Sequence, residues 1–151
     1  MVAPTDSRSG CRCVTLAGAQ RPELAQPLRV LLIEDSALIR EVVAEAIEID
    51  GAAQVAFATD SETAAVRELR AARYDVIIVD LQLREGSGFG VLRSLQEMGT
   101  DALVIVLTNY ASPAMRQRCA ALGADRFLDK SREFEDILNV MRNWASRRRL
   151  S

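Results

Sequence analysis

Residues Tyr74 to Leu83 read YDVIIVDLQL, four consecutive apolar residues (Val76 to Val79) that run straight into an acid, Asp80. The run is too short for a helix and rich in β-branched residues, which suits a strand buried on both faces. A strand that ends in a carboxylate delivers that charge to the rim of a sheet, where open α/β folds bind ligands. The rest of the chain is read outward from this strand.

On either side the same texture repeats. Val30 to Ile33 is a second buried run, ended by Glu34 and Asp35; Ser36 can cap a helix with Leu38, Ile39, Val42, Val43, Ala46 and Ile47 at a 3.6-residue period. Gly51 closes that unit, and Gln54 to Phe57 is a shorter strand. Asp60 is expected to cap the next helix, with Ala65, Leu69 and Ala72 on one face. After the central strand, a loop from Arg84 to Ser87 leads into a helix bearing Val91, Leu92, Leu95 and Met98. Leu103 to Leu107 is a strand that ends in Thr108. Ser112-Pro113 marks a helix start, Met115, Cys119 and Leu122 line that helix, and Gly123 suits its end. Arg126 to Leu128 is a fifth strand ending in Asp129-Lys130. Ser131 is expected to cap a last helix carrying Phe134, Ile137, Leu138 and Met141. Five strand–helix units in strict alternation predict an α/β three-layer sandwich, a parallel sheet covered on both faces with right-handed crossovers. The flavodoxin-like strand order 2-1-3-4-5 is the expected topology.

Length and composition fit one globular domain. The chain has 151 residues, 49% of them hydrophobic and 26% charged. No stretch approaches the ~20 apolar residues of a membrane span. The formal charge of −2 divides into +1 over residues 1–27, +3 over Arg147 to Arg149, and −6 over the segment between. An acidic central domain excludes a general nucleic-acid binder. Residues 1–27 mix Pro, Gly, Ser, Ala and Arg without periodicity and read as a mobile extension; Val14 to Ala19 is short of a signal-peptide core. Three cysteines, Cys11, Cys13 and Cys119, do not make a disulfide framework, and without any histidine a zinc site at Cys11 and Cys13 is disfavoured. Cysteine usage predicts a reducing, cytoplasmic setting.

The polar residues that directly follow strands form a set: Glu34, Asp35, Asp80, Thr108 and Lys130. In order 2-1-3-4-5 the first and third strands flank the switch point, so three carboxylates are expected to converge on one pocket. Two such charges about 4 Å apart repel by roughly 4 kcal/mol. Cations must offset this: Lys130 supplies one, and an oxygen-lined pocket suits Mg²⁺ as the other. A carboxylate beside a divalent metal, with a hydroxyl and an ammonium opposite, can attack a phosphoryl group and hold its oxygens. Asp80 is the candidate nucleophile, and Thr108 and Lys130 the candidate oxygen binders.

Four motifs, VLLIEDSALIR (Val30 to Arg40), DVIIVDLQL (Asp75 to Leu83), VIVLTNYAS (Val104 to Ser112) and RFLDKS (Arg126 to Ser131), make the chain similar to the receiver domains of two-component response regulators. The resemblance covers about residues 28–146 and leaves 147–151 as a basic tip. It implies that Asp80 is the phosphoacceptor, that Glu34 and Asp35 are the acidic pair, and that the backbone carbonyl of Gln82 completes the Mg²⁺ ligands. It implies a conserved hydroxyl at Thr108, a conserved lysine at Lys130, and an aromatic switch at Phe127. It also implies that Gln82 and Tyr110 tune the lifetime of the phosphoryl group, with Asn109 adding to the crowding. The donor it implies is a sensor histidine kinase or a histidine phosphotransfer protein. The target is an unspecified protein contacted near Met115, Arg116 and Trp144, and a dimer formed on phosphorylation is compatible with it. With no output domain after residue 146, a stand-alone regulator that catalyses only its own phosphorylation and dephosphorylation is expected.

The chain departs from the family pattern at Glu34 (usually Asp), at Ser131 (usually a proline after a cis peptide) and at Asn109 (usually small). It also departs over Arg84 to Gly90, where a Pro-Gly turn is usual. Gly86, Gly88 and Gly90 do not form a dinucleotide fingerprint, and a flexible loop is expected there. The rival readings are a pseudo-receiver interaction domain and a Mg²⁺-dependent phosphohydrolase. The hydrolase is disfavoured because Gln82 stands where such enzymes carry a second acid.

Overall fold

The computed structural model describes residues 26–49 and 51–150. The expected N-terminal extension and the Cys11–Cys13 pair lie outside the described residues, apart from the last two positions of the extension. Five strands, β1 (Leu28–Ile33), β2 (Ala53–Thr59), β3 (Val76–Val79), β4 (Leu103–Thr108) and β5 (Arg126–Asp129), alternate with five helices. The helices are α1 (Ala37–Glu48), α2 (Glu62–Ala71), α3 (Gly88–Met98), α4 (Pro113–Ala121) and α5 (Asp136–Leu150). All strand pairs are parallel, in the order β2-β1-β3-β4-β5. The order expected from the alternation is the one found.

The alternation of strand side chains builds two cores from one sheet. Val30, Leu32, Val76, Ile78, Ile105 and Leu107 pack with Val43 and Ile47 of α1 and with Ile137 and Met141 of α5. On the opposite face Leu31, Ile33, Ile77, Val79, Val104 and Val106 pack with Ala65 of α2, α3 and Cys119 of α4. β3 is buried at all four positions, which is why its sequence shows a run rather than an alternation. Cys119 is buried in this second core, and burial pushes its thiol pKa up, which suits a small apolar filler.

Two expected caps are corrected. Ser61, not Asp60, caps α2, its hydroxyl oxygen accepting from the Ala64 N–H. The carbonyl of Asp60 is instead taken by the N–H groups of Arg84 and Glu85. Ser131 does not cap the last helix, which begins five residues later at Asp136. The Ser131 hydroxyl donates to Asp129 Oδ1 (2.7 Å), and its N–H donates to the same oxygen at 2.9 Å. A side chain folded back onto the carboxylate two residues earlier forms a local turn and cannot serve a helix ahead of it. β2 runs farther than expected in both directions, because β1 offers it partners from Leu28 to Ile33.

Candidate functional site

Backbone hydrogen bonds that extend the ladder past the strand ends fix three of the site residues. Glu34 N–H donates to Thr59 O at 2.9 Å, Asp80 N–H to Ile33 O at 2.8 Å, and Lys130 N–H to Thr108 O at 2.9 Å. These residues sit at the C-terminal rim because the sheet's own register continues through their backbone.

The side chains meet at Lys130. Its ammonium donates to Glu34 Oε2 at 2.9 Å and to Asp80 Oδ2 at 2.8 Å, and it lies in an ion pair 2.8 Å from Glu34 Oε1. Glu34 and Asp80 are 2% and 5% exposed, and the Thr108 side chain is fully buried beside them on β4. Two buried carboxylates therefore share one ammonium, and the trio keeps a formal charge of −1. The pKa shifts follow from burial and from these contacts. Burial pushes the Glu34 carboxyl up, and hydrogen bonds from Lys130 and Ser36 offset this only in part. Burial opposes the charge on Lys130, but hydrogen bonds to Asp80 and Glu34 outweigh it and its pKa is raised.

The two oxygens of Asp80 are unequal. Oδ2 is held by Lys130, whereas among the described residues Oδ1 meets only the Gln82 N–H at 3.4 Å, beyond normal hydrogen-bond length. One carboxylate oxygen is thus fixed and the other is left with electron density to give.

Not all of the expected set converges. Asp35 is exposed, and among the described residues no group of three or more His, Cys, Asp or Glu side chains is arranged to hold a metal ion. The expected meeting of three carboxylates is a meeting of two. Successive side chains of an extended segment leave on opposite sides, so Glu34 turns inward and its neighbour faces solvent. The donor chemistry still fits a hard divalent cation: only oxygens, two buried carboxylates, and one unpaired negative charge. Gln82, Asn109 and Tyr110 are exposed at the rim, Tyr110 by 52%. The Tyr110 N–H donates to Thr108 Oγ1 at 3.2 Å. Phe127 is half-buried on β5, its ring under the Arg116 guanidinium at 4.8 Å.

The loop after Asp80 is tied down rather than free, correcting the expectation of a flexible segment. Glu85 accepts from the hydroxyl of Ser61, from Thr63 N–H (3.1 Å) and from Thr63 Oγ1 (3.0 Å), so it caps the first turn of α2. These bonds, that from Ser61 foremost, hold its carboxyl below the usual range. In exchange Glu62, at the start of α2, accepts from Ser87 N–H at 2.9 Å. Two acids thus serve each other's helix starts. The glycines are the space this needs: a Cβ at Gly88 would overlap the Asp80 carbonyl oxygen, and one at Gly90 would overlap the Glu62 carboxylate. Sequence reading missed this clamp. Its only signal is the spacing of glycines after Glu85, and the partners lie more than twenty residues apart.

Comparison with known proteins follows the geometry. The family described as "Response regulator receiver domain" matches residues 30–142. A protein-glutamate methylesterase/protein-glutamine glutaminase of Anaeromyxobacter dehalogenans is 36% identical over 120 residues, covering 72% of this chain and 33% of that protein. The photosynthetic apparatus regulatory protein RegA of Rhodobacter capsulatus is 31% identical over 126 residues, 83% of this chain and 67% of RegA. The chain thus spans about a third of the methylesterase and two thirds of RegA. Among solved structures, the signal receiver domain of the response regulator NarL from Mycobacterium tuberculosis superposes with a TM-score of 0.73. That alignment covers 80% of this chain and 98% of that domain at 24% identity.

Proposed function

The chain belongs to the response regulator receiver domain family, and from that premise we propose that Asp80 accepts a phosphoryl group from a phosphohistidine donor. The observation that carries the reading is the asymmetry of Asp80, one oxygen on Lys130 and the other without a close donor. Oδ1 attacks phosphorus as the P–N bond to the donor imidazole breaks, and the imidazole leaves with the bonding pair and takes up a proton. The product is an aspartyl phosphate. Lys130 stays hydrogen-bonded at the site and balances charge on the acyl and phosphoryl oxygens, while the Thr108 hydroxyl donates to a phosphoryl oxygen. Glu34, Asp80 and the Gln82 carbonyl, with Asp35 turning in from its exposed position at the rim, would hold Mg²⁺, which when bound offsets the charge of the phosphoryl oxygens.

The added phosphoryl group brings about −1.5 to −2 charge to the rim. Thr108 moves to meet it, Phe127 turns inward, and the surface of α4, β5 and α5 near Met115, Arg116 and Trp144 changes for a protein target. A sensor histidine kinase or a phosphotransfer protein fits the donor role. Gln82 and Tyr110 govern attack by water on the acyl phosphate, so Tyr110→Ala should lose phosphate faster than wild type in the same Mg²⁺ buffer. The central test is incubation with a small phosphodonor such as acetyl phosphate, with and without Mg²⁺, followed by intact mass. One added phosphoryl group, dependent on Mg²⁺ and absent in Asp80→Asn, is the expected result. Labelling that survives Asp80→Asn would overturn it.

A further inference from the structure

One side chain outside the acceptor site reaches both the aromatic switch position and the turn that carries Lys130. Arg116, on α4, donates from Nη1 to the Phe127 carbonyl at 2.9 Å and lays its guanidinium over the Phe127 ring at 4.8 Å. Its Nη2 pairs with Glu133 Oε1 at 3.0 Å. The same Glu133 oxygen accepts from Asp129 N–H at 2.9 Å, and Glu133 N–H donates to Asp129 O at 2.7 Å. Glu133 therefore fastens the turn over residues 129–133, and Arg116 fastens Glu133 to α4. The Asp129 carboxylate, held by Ser131, closes the turn from the other side. A planar guanidinium can stack on a ring and donate in two directions at once, which a lysine cannot.

We infer that Arg116 is a latch that holds Phe127 and the Lys130-bearing turn in the arrangement of the unphosphorylated protein. The inference rests on the reading of Asp80 as phosphoacceptor and adds a control on it. Arg116 covers the Phe127 ring at 4.8 Å, and Phe127 packs against the buried cluster that includes Val104 and Val106 of β4 and Cys119 of α4. Movement of the ring inward strips it from the guanidinium, so the stacked arrangement and the inward one exclude each other. A contact made in only one of two arrangements biases their populations. By reciprocity, whatever Arg116 takes from the inward arrangement it also takes from anion binding at Asp80. A residue that only stapled α4 to β5 would behave differently: its loss would lower stability and leave anion binding unchanged or weaker.

The test is an equilibrium titration of the full chain with beryllofluoride and Mg²⁺, followed by fluorine NMR of the bound anion. Wild type and Asp80→Asn set the scale: binding by the first and none by the second is expected. Absence of binding by wild type would overturn the acceptor reading, and the latch with it. Given wild-type binding, Arg116→Gln should bind the anion tighter by about threefold or more while its Tm falls. Arg116→Lys, which keeps the charge but loses the stack and the fork, should fall between. Equal or weaker binding by Arg116→Gln overturns the latch and leaves the acceptor site standing. Glu133→Gln shifts affinity the same way by a smaller factor, and it decides the matter if Arg116→Gln does not fold.

Discussion

At the N-terminal rim of the sheet, acids hold backbone. Asp75 accepts from Arg29 N–H, Asp125 from Val104 N–H and Glu48 from Val55 N–H, each at 2.8 Å. At the C-terminal rim, Glu34 and Asp80 are buried and share one ammonium. The first arrangement completes hydrogen bonds where strands begin, so each carboxylate there contributes to stability. The second gathers more negative charge than it neutralises and leaves Asp80 Oδ1 without a close donor. The same residue type thus serves the fold at one rim and chemistry at the other. What differs is burial together with the number of donors each oxygen meets.

The largest effect expected from this contrast is on labelling. Asp80→Asn should abolish phosphoryl uptake measured by intact mass, whereas Asp125→Ala on the far rim should retain it. Loss of labelling in Asp125→Ala under conditions where it is folded would erase the distinction between the rims. Next in size is Gly88→Ala, whose Cβ meets the backbone of Asp80 and Leu81 rather than a yielding side chain. It should cost about 1–3 kcal/mol by urea denaturation, and it should slow uptake because the displaced backbone is that of the acceptor. Normal uptake in this variant would show that the clamp has no part in placing Asp80.

Stability should then separate the rims by sign. Asp125→Ala leaves the Val104 N–H without its acceptor and should cost about 1 kcal/mol. Asp80→Asn leaves Lys130 paired one-to-one with Glu34 and should stabilise by about 1 kcal/mol. Equal losses in urea midpoints would mean that the trio is fully compensated.

The smallest effects are those of pH. Lys130 has a pKa raised above 10.5, so its contribution is complete below that value and is lost as pH rises through the raised one. At the other rim burial, and then Glu68 accepting from the hydroxyl, raises Tyr74 from 10.0 to about 12, so its contribution fades across that interval. Glu85, Asp129 and Glu133 are all held low by hydrogen bonds, Ser61 acting first on Glu85, Ser131 on Asp129 and the Asp129 N–H on Glu133. Their contributions are present above the ordinary carboxylate range and vanish as pH falls through the lowered values. In Lys130→Met the alkaline loss should shrink while the acid loss stays, and thermal melts across pH would show it. An unchanged alkaline limb would assign that loss to Tyr74 and Cys119.

The sequence by itself determined the sheet. Buried runs such as Val76 to Val79 and the helical periods between them fix five βα units, and 2-1-3-4-5, the order found, is one of the doubly wound orders that allow right-handed crossovers with both faces covered. It also placed Glu34, Asp80, Thr108 and Lys130 at strand ends, since a polar residue after an apolar run is legible one position at a time. Tertiary structure alone decided which of those side chains meet. Asp35 and Glu34 are adjacent in the chain, yet only Glu34 turns in toward Lys130, because direction depends on backbone dihedrals that sequence spacing does not record. The cap of α2 moved from Asp60 to Ser61 because Glu85, twenty-four residues from Ser61, shares that hydroxyl. The grip of Arg116 on Phe127 and Glu133 likewise spans three elements. Periodicity records the burial of each residue, whereas a hydrogen bond records a pair, and distant pairs exist only once the sheet has brought its helices together.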